Sequence, residues 1–140
     1  MCTYNTQDYE IGDEISSTGE GRVVTVPAAD ITWPATAIWD VGDIVVAGEN
    51  LAGVALTSHD SNDDYVAIDT EGIWCLGVSE TVVVGDEVYL DPDTGVLRHT
   101  YVLYDIPFGI ALTGATYASV PVACAIKVHL YPRLEGGDMS

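Results

Sequence analysis

Asp60, Asn62 and Asp64, with Glu71 eleven positions after Asp60, reproduce the oxygen-ligand spacing of a calcium-binding loop. The match is partial, because Tyr65 stands where the sharp turn of such a loop wants Gly and both flanks read as strand. A solvated acidic loop between strands accounts for the same residues, and no cofactor is expected. His59, His99 and His129 fall in a loop, a turn and a strand, and no Gly-x-Ser-x-Gly elbow supplies a nucleophile. A Ser-Lys peptidase would need a lysine base. Only Lys127 is available, and the Ser-Met-x-Pro motif is missing upstream. Asp63 with Asp64, Asp91 with Asp93, or Glu80 with Asp86 could serve as acid and base for glycoside cleavage, but a chain with 22 acids makes such pairs by chance. There is no Gly-x-Gly-x-x-Gly, phosphate loop or Cys-x-x-Cys pair. Cys75 and Cys124 read as small buried hydrophobes and Cys2 lies near the N-terminus. Four bases give a thiol little electropositive help, so redox chemistry is not expected.

Such residues need elements to hold them. At 140 residues the chain has the length of one domain. Its formal charge of -18 disfavours nucleic acid as a partner, while 48% hydrophobic content is enough to offset chain entropy. The odd set of three cysteines suggests no disulfide scaffold, and no basic segment leads into an apolar one near Met1. The uncharged stretch 106–126 is long enough to span a bilayer, yet Pro107, Gly109, Gly114 and Pro121 interrupt it. Two strands around a turn explain it better, and no membrane partner is expected.

One phrase is written twice. Val41-Gly42-Asp43-Ile44-Val45 with Gly53-Val54-Ala55-Leu56-Thr57 matches Val84-Gly85-Asp86-Glu87-Val88 with Gly109-Ile110-Ala111-Leu112-Thr113. Each copy reads as turn, strand, turn, strand, because Gly accepts positive φ and Asp bonds nearby backbone N–H groups. Val66-Ala67-Ile68 stands as far beyond Gly53 as Val122-Ala123-Cys124 does beyond Gly109, which extends the duplication. Strands follow at the spacing of an all-β barrel or sandwich, with at most one short helix around 30–39. In the last strand, Val122, Cys124, Ile126, Val128 and Leu130 should face the core and Ala123, Ala125, Lys127 and His129 the other side. Residues 1–21 read as a polar arm, 22–132 as the β domain and 133–140 as a flexible acidic end. Trp74 reads as core. Trp33 and Trp39, flanking Pro34, read either as core or as interface anchors.

The ordered run Val23 to Val26, Val41-Gly42-Asp43-Ile44-Val45, Gly53-Val54-Ala55-Leu56, Thr70-Glu71-Gly72-Ile73-Trp74, Val84-Gly85-Asp86-Glu87-Val88-Tyr89, Thr94-Gly95, Gly109-Ile110-Ala111-Leu112 and Ala125-Ile126-Lys127-Val128 resembles a known family. It is that of the capsid decoration (cement) proteins of tailed bacteriophages, formerly catalogued as a domain of unknown function. The chain departs from the family pattern in a longer acidic arm and in a stretch, 99–107, richer in Tyr. The resemblance implies a small β-barrel or β-tulip-like subunit without enzymatic activity. It implies a homotrimer on the outer surface of the virion, at local three-fold positions, bridging copies of the major capsid protein and stabilising the mature shell. In that setting the arm is expected to add to a capsid strand edge, with Tyr4, Tyr9 and Ile11 as side-chain contacts. A phage tail or adhesion module is the alternative, and a peptidase-like or carbohydrate-active β domain a more distant one.

Overall fold

Short β-branched runs broken by Gly, Asp and Pro satisfy their backbone polar groups only by pairing sideways. The computed structural model describes residues 2–4, 6–17, 23–36, 38–48, 51–59 and 65–129. Among these it shows β1 (Cys2–Tyr4), β2 (Gln7–Tyr9), β3 (Glu14–Ser17), β4 (Val23–Pro27), β5 (Ile31–Trp33), β6 (Ile44–Ala47) and β7 (Leu51–Ala55). There follow β8 (Tyr65–Asp69), β9 (Gly72–Val78), β10 (Glu87–Leu90), β11 (Leu97–Arg98), β12 (Ile106–Ala111) and β13 (Val122–Val128). A single 3-10 turn at Ala28–Asp30 is the one helical element described, and it overlaps the 30–39 region, where a short helix is expected at most, only at Asp30. The stretch 106–126 is β12 and most of β13, as two strands around a turn require.

Every strand pair is antiparallel. The strands form a hairpin β1-β2, a six-stranded sheet in the order β11-β10-β12-β13-β9-β3 and a five-stranded sheet in the order β4-β8-β7-β6-β5. The all-β class is as expected, but none of the three sheets closes into a barrel. The larger sheet stops instead at the two-residue β11 and at β3, whose pairing with β9 is interrupted between Glu14 and Ser16.

The main core joins both large sheets, Val46, Ala52 and Val54 from the smaller packing with Trp74, Leu76, Phe108, Ile126 and Val128 from the larger. A second cluster of Trp39, Val45, Ala47, Ala55, Val66 and Ile68 lies on the other side of the five-stranded sheet. β13 alternates as expected, with Cys124, Ile126 and Val128 in the main core and Ala123 and Ala125 in a third cluster on the opposite face.

The duplicated phrase is one structural unit used twice. Val45 pairs with Gly53 as Val88 pairs with Gly109. A Cβ on Gly53 would lie 2.5 Å from the Asp69 carbonyl oxygen, and one on Gly109 would lie 2.5 Å from that of Lys127, so both positions need glycine for close approach. The equivalent third strands are therefore aligned by Asp69 with Lys127 and Ile68 with Ile126. This corrects the sequence alignment of Val66 with Val122 by two positions. The reason is that strand pairing, not the count from the glycine, sets the register.

Each Gly-Asp turn is braced in the same way. The Asp40 N–H donates to the Asp43 carboxylate at 2.9 Å, and the Asp43 N–H returns to the Asp40 carbonyl at 3.1 Å. Val83 and Asp86 repeat this at 2.9 and 3.1 Å. Gly42 and Gly85 hold φ of 96° and 95°, the conformation that favours Gly at the third turn position. The structure adds a third copy that the sequence reading passed over. Glu10 donates to Asp13 at 2.8 Å, Asp13 to the Glu10 carbonyl at 3.0 Å, and Gly12 has φ of 97°.

That third turn is why residues 2–17 are not a free arm. Gly12 N–H donates to the Cys75 carbonyl and Cys75 N–H to the Asp13 carbonyl, and these two bonds lock the turn to β9. β3 then extends the six-stranded sheet, while β1 and β2 lie over Cys75, Ala123 and Ala125. The small outward side chains of β13 make room for this hairpin. The expected 133–140 end lies outside the described residues.

Candidate interaction surface

Among the described residues, the groups that could do chemistry are not assembled into a reaction centre. Asp60, Asn62 and Asp64 lie outside the described residues, and Glu71 sits in the β8–β9 turn with its N–H donated to Asp69 at 3.1 Å. Among the described residues no three His, Cys, Asp or Glu side chains gather as a metal site. His59 is buried and stacked on Trp39, with ring centroids 4.7 Å apart. His129 Nε2 lies 3.1 Å from Glu87 Oε2, and His99 Nε2 3.8 Å from Glu80 Oε1. Among the described residues, those lining an open depression near Thr25, Val41, Thr57 and Tyr65 are all uncharged.

The residues expected to meet a partner divide. Trp39 is 2% exposed and donates its indole N–H to the Thr57 carbonyl at 3.1 Å. It serves the second cluster and leaves no face for a partner, because its isolated bridge to His59 folds it inward. Trp33 is half-buried against Gly95, where a Cβ would lie 2.5 Å from the indole ring. Tyr4 and Tyr9 are half-buried on the third cluster, and Ile11 is exposed at the corner of the Gly12 turn.

The most exposed apolar segment is one that the sequence reading noted only for its Tyr content. Tyr101, Val102, Leu103 and Tyr104 are 51%, 48%, 69% and 79% exposed. They ride on a fourth copy of the Asp-braced turn. Val102 N–H donates to the Asp105 carboxylate at 3.0 Å and Asp105 N–H to the Val102 carbonyl at 2.8 Å. At the position held by glycine in the other three turns stands Tyr104, at φ of 77°. An aromatic residue held there costs about 1–2 kcal/mol, and strain of that kind points to a role beyond folding.

The surrounding structure holds this tip rigidly. Asp105 is buried, and Arg98 Nη2 reaches it at 3.3 Å and Asp91 at 3.2 Å. Glu80 accepts from His99 N–H and Thr100 N–H at 3.0 Å each and from the Thr100 hydroxyl at 2.8 Å. Tyr101 packs edge-on against Tyr89 with centroids 5.2 Å apart. The next residue after Glu80, Thr81, accepts from Tyr117 N–H at 3.0 Å, so the segment carrying exposed Val120 hangs from the same strip of chain. Between Thr94 and Leu134 the only acid is Asp105, and Arg98 neutralises it. This stretch with a single acid is readable in the sequence as a gap in an otherwise acidic chain.

Two carboxylates beneath the tip titrate abnormally. Burial alone would raise Glu80, but the Thr100 hydroxyl and the Thr100 and His99 N–H groups hold it below its ordinary value. Burial opposes Asp91 likewise, and the Asp93 N–H, the Thr94 hydroxyl and Arg98 outweigh it. Depressed folded pKa values contribute stability that is present above the unfolded values of about 4 and is lost as pH falls through the folded ones. Thermal unfolding between pH 6 and pH 3 should therefore show a steeper acid loss for the natural chain than for Glu80→Gln, and parallel curves would contradict this linkage.

The family model for phage cement proteins matches residues 18–128. The chain belongs to that family. Comparison with curated proteins and with solved structures finds no match. Cement proteins are structural components of a phage capsid, which they stabilise. The match takes in β4 to β13 and the tip, while β1, β2 and β3 lie N-terminal to it.

Proposed function

We propose that this cement protein binds the outer surface of an icosahedral phage shell as a homotrimer at local three-fold positions, where it contacts the major capsid protein and stabilises the mature shell. The observation that carries the reading, beyond family membership, is the acid-free apolar tip at 101–104, held rigid over a strained Tyr104. Exposed contiguous apolar residues on an acidic protein mark a contact surface. Burying that tip recovers the free energy of water release without apposing like charges. Ile11 and Trp33 add candidate contacts at other points of the surface.

Three copies linked in a trimer would turn weak single contacts into avidity, each later contact forming at an effective concentration near ~mM. Only a shell that presents all sites at the right spacing gains the full binding free energy, so the protein favours the mature, expanded state by differential affinity. The docked hairpin changes the expected role of the N-terminus. Its strands already pair within the free chain, β1 with β2 and β3 with β9, so the hairpin is docked before binding rather than ordering on the capsid.

The test is analytical ultracentrifugation of the purified protein followed by co-sedimentation with undecorated expanded and unexpanded shells. A trimer that pellets with expanded shells, and survives with them to a higher rupture temperature, is the expected result. A monomer that stays in the supernatant with both shells contradicts the proposal. Electron microscopy of the native particle separates shell decoration from tail attachment.

A further inference from the structure

We propose that Cys2 and Cys75 are the two halves of a disulfide staple that fastens the N-terminal hairpin to the six-stranded sheet. Their Sγ atoms lie 2.8 Å apart in a buried contact, inside the ~3.5–4.0 Å spacing of unbonded heavy atoms. Both are free thiols in this structure. Closing the bond, at about 2.05 Å, needs only a small approach of β1 toward β9.

The fold selects this pair among the three cysteines. Cys75 and Cys2 share the cluster beneath the hairpin, whereas Cys124 points into the main core on the other face of the sheet. Cys124 Sγ is held there by the Thr113 carbonyl at 3.3 Å. Cys75 is fixed by its backbone bonds to Gly12 and Asp13, and its thiol also faces the Tyr9 carbonyl at 3.6 Å. Opposite it in the register stands Ala125, whose small side chain lets β1 come down onto the sheet.

The oxidant is a low-molecular-weight disulfide such as oxidised glutathione. Cys2 as thiolate attacks one sulfur of that molecule, and its other half leaves as a thiol. Cys75 then attacks Cys2 Sγ in the mixed disulfide, forming the protein bond and releasing the second half as a thiol. One disulfide breaks and one forms, two electrons pass to the small molecule, and the two protein protons leave on its sulfurs. Burial and the contact with Cys2 push the Cys75 thiol up to about 12, so the closing step, in which Cys75 attacks, is slow at neutral pH. The staple is thus absent in a reducing cytosol and forms in an oxidising medium. This inference does not depend on the capsid reading.

The full chain is incubated with oxidised glutathione at pH 8 and followed by intact mass, alkylation and non-reducing peptide mapping. The expected product is a chain with no covalent link to another, lighter by about 2 Da, with one alkylatable thiol left, a Cys2–Cys75 linked peptide and a melting point raised by roughly 10 °C until reductant is added. Cys124→Ser should react identically, and Cys2→Ser, which leaves both large sheets intact, should stop at unlinked thiols or a mixed disulfide. A stable glutathione adduct on the natural chain, a bridge that includes Cys124, a cross-link between chains, or three unreacted thiols would each overturn the proposal.

Discussion

Replacing Gly42 by alanine should cost about 3 kcal/mol of stability, against about 1 kcal/mol for the same change at Gly85. The two positions share a turn, an Asp brace and nearly the same φ, 96° and 95°. The conformational part of the cost is therefore common to both, about 1–2 kcal/mol for a side chain at positive φ. They differ in what surrounds them. A Cβ on Gly85 meets nothing within 4 Å, whereas one on Gly42 runs into the carbonyl oxygen of Gly12 and lies 3.0 Å from its Cα. The first and second Gly-Asp turns are packed backbone to backbone. Alanine at Gly42 must push the Gly12 turn away, and with it the two hydrogen bonds that lock residues 10–13 to Cys75. Urea unfolding of the two variants checks the difference, and equal losses would show that the Gly12 turn yields freely. Hydrogen exchange at Cys75 N–H, which is bonded to Asp13, should quicken in Gly42→Ala and stay slow in Gly85→Ala.

Leu103→Asp should abolish most shell binding while leaving the fold untouched. Leu103 is 69% exposed, so a charge there costs the isolated chain little. In a buried contact it forfeits about 1.5–3 kcal/mol of apolar burial and adds a desolvated carboxylate, a loss of at least tenfold per copy. In the proposed trimer, three linked copies would multiply that loss. Tyr104→Gly makes the complementary case. Glycine relieves the strain at φ of 77°, so the isolated protein should gain about 1 kcal/mol, and shell binding should still fall because the aromatic ring is gone. Melting scans with quantitative co-sedimentation separate the two effects. Undiminished binding of Leu103→Asp would remove the tip from the contact surface.

The parts of the fold legible from sequence were those in which partners lie close together along the chain. β6 and β7 announce themselves because the Gly-Asp phrase and its answering Gly53 phrase are near neighbours, and β13 because seven residues alternate faces without interruption. The Gly12-Asp13 turn carries the same phrase, but the strand that answers it is β9, with Cys75 in the place taken by Ala55 and Ala111. Nothing local flags that pairing, so residues 2–17 read as an arm. The spacing of Tyr4, Tyr9 and Ile15 looked irregular because the chain reverses between them, and periodicity is visible only along one uninterrupted strand. Trp39 escaped for a related reason, since its burial depends on His59, a contact between two loops. At the tip, Tyr104 hides the fourth turn by replacing the glycine that marks the others.

The order of strands carries a consequence for a protein made in many copies. Open sheets offer their outermost strands to one another, and polymerisation proceeds through those rims. Here three rims are poor templates: β11 has two residues, and the ladders of β3 and β5 are each interrupted by an irregularity. At the rims of the two large sheets only β4 pairs with its neighbour along its whole length, and it ends in Pro27, which has no N–H to give. A chain built this way can accumulate to high concentration before it meets its destination, because lateral growth of its two large sheets is blocked at nearly every rim.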